Sequence, residues 1–129
     1  MKTEPDEYSY SDLERDGKTV WDGVTNNLAL KNLRSIRKGD LAFIYHTGNE
    51  KQVVGIAEVA SNLYPDPKKK NPKLVVVDLR PKERLGKAVS LGQVKALKEF
   101  SEFELVRLPR LSIMPVDKAK WDRVLRLAK

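Results

Sequence analysis

The stretch that decides the fold is residues 39–59, GDLAFIYHTGNEKQVVGIAEV. A turn at Lys38-Gly39-Asp40 precedes an apolar run from about Leu41 to His46, and a polar Gly-Asn loop follows it. Short apolar runs that are rich in β-branched and aromatic residues and bounded by glycine predict strands. A second strand is predicted from about Val53 to Leu63, and the two are expected to pair as a hairpin.

A third strand is predicted downstream over residues 74–85, LVVVDLRPKERL. Its first half places apolar side chains on both faces, because Val76 and Val77 point to opposite sides of a strand. Hydrophobicity on both faces is typical of a strand in a barrel that also has helices packed outside it. The proline-punctuated segment before it, PDPKKKNPK at residues 65–73, predicts a basic loop.

The C-terminal third contains three further elements. Residues 90–100, SLGQVKALKEF, predict a short helix, and residues 110–116, RLSIMPV, predict another strand. Asp117 can cap a final helix, in which Trp121 recurs with Val124 at helical spacing and is expected in the core.

The N-terminal segment predicts two helices. Ser11 and Glu14 form a capping-box pattern before a short helix that Gly17 can end. Asn26 or Thr25 can cap a second helix running to about residue 35. Together with the strands, these elements predict a small α+β domain with a strongly bent, mostly antiparallel sheet and helices packed against it.

Charge is unevenly distributed along the 129 residues, which we expect to form one compact domain over residues 1–129. Residues 1–64 carry 8 Lys/Arg and 10 Asp/Glu, whereas residues 65–129 carry 17 and 8. A concentrated positive field attracts polyanions, so nucleic acid is the first partner to test. With no long apolar run and no signal peptide, we expect a soluble, cytoplasmic protein that does not engage a membrane.

Catalytic and metal-binding patterns are weak. The absence of cysteine excludes disulfides and thiolate chemistry, and His46 is the single histidine. No phosphate-binding glycine loop or nucleophile elbow is present. Glu4, Asp22 and Glu58 could meet in space, although a chain with 18 acids offers many such coincidences. We therefore expect no cofactor and no metal, and an enzymatic role stays open without support.

Polar and aromatic residues recur instead where predicted elements begin or end. Aromatic faces stack on bases with about 1–3 kcal/mol each, while polar side chains read the base edge. The alternative is that Trp21 fills the core beside a helix entry, and that Tyr45 and His46 are ordinary interior residues. These residues are Thr3, Glu4, Trp21, Asp22, Asn26, Tyr45, His46 and Thr47.

Seven ordered motifs over residues 1 to 128 resemble the EVE domain family, which includes the thymocyte nuclear protein group. The resemblance implies a PUA-like fold, a small twisted β-barrel with flanking helices. It also implies recognition of a modified base in DNA or RNA through a pocket. The motifs are MKTEPDEYSYSDL, WDGVTNN, GDLAFIYHTGN, VVGIAEV, YPD, NPKLVVVDL and RLSIMPV.

Carried over position by position, three family motifs supply a candidate ligand pocket. The family's K-[ST]-E-P, W-D-G-V-x-N and Y-H-[ST] patterns each have a match here. Trp21 and Tyr45 would stack on or flank the base, and Gly23 would permit a tight turn. The pocket implied by the resemblance comprises Lys2, Thr3, Glu4, Pro5, Trp21, Asp22, Gly23, Val24, Asn26, Tyr45, His46 and Thr47.

The sequence departs from its relatives at three places. TNNLAL replaces the arginine-rich, polar segment that commonly follows W-D-G-V, and Leu74 stands where a tryptophan is common. Both changes predict a more apolar pocket with weaker stacking. Family members usually begin a few residues earlier, so we expect a few N-terminal residues of the domain to precede Met1.

Three hypotheses follow from these patterns. The first is a monomeric module that binds DNA or RNA containing a modified or flipped base. The second is an enzyme acting on a nucleic acid or nucleotide through Glu4, Asp22 or His46. The third is a protein-interaction scaffold with a vestigial pocket. In the first hypothesis the phosphate-contacting residues are Lys68, Lys69, Lys70, Lys73, Arg80, Lys82 and Arg84.

Overall fold

The computed structural model describes all residues from 1 to 129 and contains one curled, mixed sheet. Its main path runs β1-β3-β4-β6-β2, and β5 pairs with β6 beside that path. Only the β1–β3 pair is parallel, so the predicted α+β, mostly antiparallel architecture is confirmed. The strands are β1 (Lys2–Thr3), β2 (Thr19–Trp21), β3 (Leu41–His46), β4 (Gln52–Val59), β5 (Tyr64–Pro65) and β6 (Val75–Ser90).

The predicted hairpin is confirmed by the pairing of β3 with β4, from Leu41 opposite Glu58 to His46 opposite Gln52. The prediction that the second strand reaches Leu63 is wrong, because β4 ends at Val59. The chain turns there, and the separate short strand β5 then pairs with β6.

Curvature of the sheet has a local cause. The register shifts between Ile44 and Tyr45, between Val53 and Gly55, and between Ile56 and Ala57. Such irregularities bend a strand and increase its twist. The 16-residue strand β6 follows this bend and pairs with β2, β4 and β5, so the sheet curls into a half-barrel.

Five α-helices flank the sheet. Asn26 and Asp117 cap α2 and α5 through side-chain bonds to Ala29 N and Lys120 N, as predicted. The predicted Ser11–Glu14 capping box is wrong, because Ser9 and Asp12 form the box two residues earlier. The helices are α1 (Tyr10–Asp16), α2 (Asn27–Arg34), α3 (Leu91–Lys95), α4 (Glu104–Arg107) and α5 (Lys118–Leu127), with a 3₁₀ turn at Lys98–Phe100.

The strand predicted over residues 110–116 does not form. Leu111 and Ile113 are buried in the alternating manner that suggested a strand. The segment nevertheless lacks a ladder partner and is held by single bonds, with Ser112 O accepting from Lys2 N at 2.9 Å and Ile113 O from Asn32 Nδ2 at 2.8 Å. The alternation of apolar residues correctly predicted which side chains are buried, but it could not predict whether the segment pairs with another strand.

Two hydrophobic clusters cover opposite faces of the sheet. Val77 and Leu79 belong to one cluster with helices α1 and α2, while Phe43 belongs to the other with α3, α4 and α5. Val76 is also buried, which confirms that β6 is apolar on both faces. Trp121 packs against the second cluster and stacks on Phe43 with ring centroids 3.7 Å apart, although part of its surface stays exposed. None of the helices combines the length and the apolar composition that a membrane-spanning segment requires.

Candidate functional site

A polar cavity lies at the opening of the half-barrel. Strands β1 and β2 are the two ends of the sheet path, yet both line one cavity of about 770 Å³. Curling therefore brings the two end strands of the sheet to opposite sides of a gap, which we name the seam pocket. Its lining residues are Lys2, Thr3, Glu4, Glu7, Tyr8, Lys18, Thr19, Val20, Trp21, Asp22, Gly23, Val24, Lys68 and Ser112.

The structure brings together most of the residues expected from two of the three motifs. Seven of the twelve predicted ligand-pocket residues line the seam pocket, namely Lys2, Thr3, Glu4, Trp21, Asp22, Gly23 and Val24. The other five do not line it, namely Pro5, Asn26, Tyr45, His46 and Thr47. The K-T-E and W-D-G-V segments thus meet across the seam, whereas the Y-H-T segment lies behind it.

Trp21 is both a core residue and part of the pocket lining. It is 9% exposed, belongs to the cluster that includes α1 and α2, and contributes to the seam pocket. The chain then turns at Gly23, whose φ of +77° favours glycine. Asp22 is exposed between them, and its carboxylate has no hydrogen bond or ion pair within the protein.

The β1 side of the pocket is held by local hydrogen bonds. Thr3 Oγ1 donates to Tyr8 O at 2.7 Å. Glu4 Oε1 accepts from Asp6 N at 3.1 Å, and its Oε2 accepts from Thr47 Oγ1 at 3.3 Å. Thr47 therefore supports Glu4 from outside the pocket and orients a carboxylate that lines it.

His46 has a structural partner on each ring nitrogen. Its Nε2 accepts from the buried Tyr10 N at 3.0 Å, so Nδ1 carries the hydrogen and donates to Glu50 Oε1 at 2.9 Å. This bond is the main reason that the pKa of Glu50 is lowered. With both nitrogens occupied and only 6% of the residue exposed, His46 joins α1 to β3.

Tyr45 and Asn26 also have other roles. Tyr45 is 6% exposed and lines a separate, mainly apolar cavity of about 350 Å³, and burial raises its pKa. Lys2 lies over the Tyr45 ring at 5.7 Å, and its Nζ donates to Pro109 O at 2.8 Å. Asn26 uses its side chain to cap α2.

Five polar residues of the seam pocket were missed by sequence reasoning: Glu7, Tyr8, Lys18, Thr19 and Ser112. Tyr8 resembles a surface aromatic in the sequence, and Lys18 precedes β2 with no motif around it. Ser112 lies in the segment mistaken for a strand. Glu7, Tyr8 and Ser112 lie inside two of the seven family motifs, MKTEPDEYSYSDL and RLSIMPV. Only the sheet order shows that these positions line one cavity.

The basic loop is ordered by its own side chains. Asp66 is 6% exposed, and its Oδ1 accepts from Lys68 N at 2.9 Å. Asn71 Oδ1 accepts from Lys73 N at 2.9 Å, and Arg34 of α2 donates to Lys73 O at 2.7 Å. The loop thus holds Lys68 at the seam pocket, with Lys69, Lys70 and Lys73 exposed beside it.

The remaining predicted phosphate contacts differ in their surroundings. Arg80 Nε donates to Glu58 Oε1 at 2.7 Å, and Arg84 contacts Glu14 and Ser11. These partners already neutralise much of the arginine charge. Lys82 is exposed and has no ion pair. The loop lysines are therefore the better-placed set for binding phosphate.

The hydrogen bond between Tyr64 and Asp78, next to the basic loop, can be tested by the pH dependence of its contribution to stability. Its Oη donates to Asp78 Oδ1 at 2.6 Å, and this bond raises the pKa of Tyr64 from 10.0 to about 12. Because the folded pKa is the higher one, the bond stabilises the protein fully below pH 10.0, and this contribution is lost as the pH rises through about 12. We expect the wild type to exceed Tyr64→Phe in free energy of unfolding at pH 8.

Urea unfolding at several pH values measures this difference. The gap between the wild type and Tyr64→Phe should narrow steadily above pH 10.0. A gap that stays constant up to pH 12 would show that the hydroxyl does not act through its bond to Asp78.

Comparison with known proteins identifies the family. The family model for the EVE domain matches residues 1–127. The chain belongs to the EVE domain family. The solved NMR structure of a protein from Rhodopseudomonas palustris is 35% identical, with a TM-score of 0.94 over 99% of this chain and 90% of that one. The predicted family and PUA-like fold are therefore confirmed.

Two comparisons concern a human protein. Human thymocyte nuclear protein 1 is 28% identical over 98% of this chain and 72% of its own length. A crystal structure of human THYN1 in complex with DNA containing 5-methylcytosine has a TM-score of 0.91, 28% identity, and coverage of 100% of this chain and 95% of that one. That human EVE relative thus binds a modified-base DNA.

Proposed function

We propose that this EVE domain binds DNA and holds a modified base, with 5-methylcytosine as the first candidate, in the seam pocket. The main support for this proposal is that Trp21, the free Asp22 carboxylate and Lys68 of the basic loop all line one polar cavity of about 770 Å³. Human THYN1 in complex with 5-methylcytosine DNA supports the choice of ligand. RNA binding, a monomeric state and a cytoplasmic location remain predictions.

In the proposed site, one set of groups contacts the phosphates and another set contacts the base. Ligand sites commonly have volumes of about 300–1,000 Å³, so one nucleoside fits this cavity. Phosphate contacts set position and contribute salt-dependent affinity, while contacts to the base edge contribute specificity. In this domain the loop lysines perform the first task and the lining of the seam pocket performs the second.

The salt dependence of binding tests the phosphate role. We expect the affinity for 5-methylcytosine DNA to fall steeply with salt, with a slope of roughly −0.9 on a log–log scale for each phosphate contact. Replacing Lys68, Lys69, Lys70 and Lys73 with alanine should make this slope shallower by about 3.6. Fluorescence anisotropy at four salt concentrations measures both slopes.

A control variant removes positive charge at a position remote from the seam pocket. Lys95→Ala together with Lys98→Ala removes two exposed lysines near α3, on the other side of the sheet. That variant should retain the wild-type slope. If the loop variant also retained it, the loop would not contact phosphate.

The Asp22 carboxylate tests the pocket itself. Trp21→Ala is a poor choice, because truncating a buried tryptophan costs about 3–5 kcal/mol of stability. Asp22 is exposed and unpaired, so Asp22→Asn should fold normally. 5-Methylcytosine and cytosine carry the same hydrogen-bonding groups, so loss of the carboxylate should weaken the affinity for 5-methylcytosine DNA and for cytosine DNA alike, by about tenfold, which is 1.4 kcal/mol. Calorimetric titration of both duplexes gives the affinities.

Glu83→Gln is the control for Asp22→Asn, because Glu83 is an exposed acid on β6 outside the seam pocket. Equal affinity of the wild type and Asp22→Asn for 5-methylcytosine DNA would remove Asp22 from the site. A wild type that does not distinguish the two duplexes would refute recognition of 5-methylcytosine. A chemical change in the nucleoside after incubation, seen by mass spectrometry, would instead support an enzyme.

A further inference from the structure

The backbone of Val20 carries two polar groups that the sheet does not use. In β2, Val20 lies opposite Asp78 of β6. Asp78 O accepts from Ala60 N at 2.8 Å, and Asp78 N donates to Ser61 Oγ at 2.9 Å. Both backbone groups of Asp78 therefore point toward the β4 side of β6 and away from Val20.

The register then determines the direction of the neighbouring groups. Hydrogen-bonded and non-hydrogen-bonded pairs alternate along an antiparallel ladder. Thr19 and Trp21 therefore bond to Leu79 and Val77, whereas the N–H and C=O of Val20 point away from β6. Since β2 is the last strand of the path and Val20 lines the seam pocket, these two groups face the pocket. Neither has a hydrogen-bond partner within the protein.

This pair of groups suits the edge of a nucleobase. The N–H and C=O of one extended residue lie side by side, which lets them form two parallel hydrogen bonds with an adjacent acceptor and donor. Cytosine presents such a pair on its Watson–Crick edge, the ring N3 and the 4-amino group. A methyl group at C5 leaves both atoms unchanged.

We propose that the main chain of Val20 reads the Watson–Crick edge of the bound base, its N–H donating to N3 and its C=O accepting from the 4-amino group of 5-methylcytosine. This inference rests on the proposed function. In a duplex that edge is paired with guanine, so the base must leave the stack to be bound. The domain therefore binds a base that is everted or single-stranded.

The position of Val20 permits a direct test of its N–H. Proline has no N–H and is tolerated on an edge strand where the N–H leaves the ladder. Val20→Pro therefore removes the proposed donor and no sheet bond. Val20→Ala keeps the N–H and removes most of a side chain that is 45% exposed, so it is the matched control. Thr19→Pro removes a hydrogen bond between β2 and β6, so its thermal midpoint serves as the reference for a disrupted strand.

Affinity for 5-methyl-2′-deoxycytidine and for single-stranded 5-methylcytosine DNA is measured by calorimetry. We expect Val20→Ala to bind within about threefold of wild type and Val20→Pro to bind at least tenfold more weakly, the loss of about one hydrogen bond to the base. The thermal midpoint of Val20→Pro should lie nearer to that of Val20→Ala than to that of Thr19→Pro. Equal binding by Val20→Pro and Val20→Ala would overturn the proposal.

A second measurement needs no proline variant to fold. In ¹⁵N-labelled wild type, adding 5-methyl-2′-deoxycytidine should shift the Val20 amide resonance and slow its hydrogen exchange. If resonances of Asp22 and Lys68 move while the Val20 amide is unaffected, the proposal is wrong and the seam pocket remains the site. If the wild type binds neither the nucleoside nor the DNA, the proposed function itself fails.

Discussion

Replacing Gly55 with alanine should lower the free energy of unfolding by about 3 kcal/mol, at the upper end of the usual cost of overpacking a core. A Cβ atom at this position in β4 would lie 2.5 Å from Cζ of the Tyr10 ring. Real Cβ atoms do not approach other atoms so closely, so either the ring or the strand must shift.

The Tyr10 ring has no room to make that shift. It is 1% exposed, its Oη donates to Ile56 O at 2.7 Å, and the Arg84 guanidinium lies 5.1 Å from its centroid. Urea unfolding of Gly55→Ala measures the cost, and Gly86→Ala is a milder glycine control because its new Cβ would meet only Ala128 O at 3.1 Å.

A double-mutant cycle isolates the cause of the Gly55 effect. Tyr10→Leu destabilises the protein by itself, since it removes a buried ring and its hydrogen bond. It also removes the atoms that a Cβ at Gly55 would strike. Gly55→Ala should therefore cost markedly less in the Tyr10→Leu background than in the wild type. Additive costs in the cycle would show that the ring is not the obstacle.

His46→Ala is expected to destabilise the protein by about 2–4 kcal/mol, because an unpartnered buried donor costs about 1–3 kcal/mol and lost packing adds to it. The donor in question is the Tyr10 backbone N–H, which bonds to His46 Nε2 at 3.0 Å. His46→Gln should restore part of the stability, because its side-chain oxygen can accept near the position of Nε2. Chemical denaturation of the three proteins gives the ranking.

Glu50→Gln is the matched control for His46→Ala, since it perturbs the bond to Nδ1 on the exposed side of the ring and an exposed bond from Gln52 Nε2. It should cost less than about 1 kcal/mol. Under conditions in which His46→Ala is folded, its affinity for 5-methylcytosine DNA should lie within a few fold of the wild-type affinity. A stable His46→Ala protein that had lost base discrimination would assign the imidazole to the ligand instead.

Local sequence patterns predicted the elements that depend on neighbouring residues. The hairpin around Gly48 and the caps at Asn26 and Asp117 follow from short-range chemistry, and the structure confirms them. Errors occurred where pairing partners are distant. Residues 110–116 alternate like a strand but find no ladder. The misplaced cap of the first helix is a separate, local error, because Ser9 and Asp12 form the reciprocal bonds that were predicted for Ser11 and Glu14.

The candidate site was predictable only in part, for a similar reason. The W-D-G-V and K-T-E segments carry a family pattern, and the curled sheet brings them to one cavity. The Y-H-T segment carries an equally clear pattern, yet its side chains hold the sheet and α1 together. A motif reports that residues matter to a family, and it does not separate contact with a ligand from support of the fold. The free main chain of Val20 has no sequence signal at all.

The seam pocket also has a kinetic consequence, because its lining is drawn from nearly the whole chain. Lys2 bonds to Ser112, and β1 pairs with β3 some forty residues away, so the chain closes long loops before the two edges face each other. Contacts between residues that are distant in sequence form slowly in folding. We therefore expect nucleic-acid binding to appear last during refolding, after the β3–β4 hairpin, and during synthesis only once the segment around Ser112 has emerged.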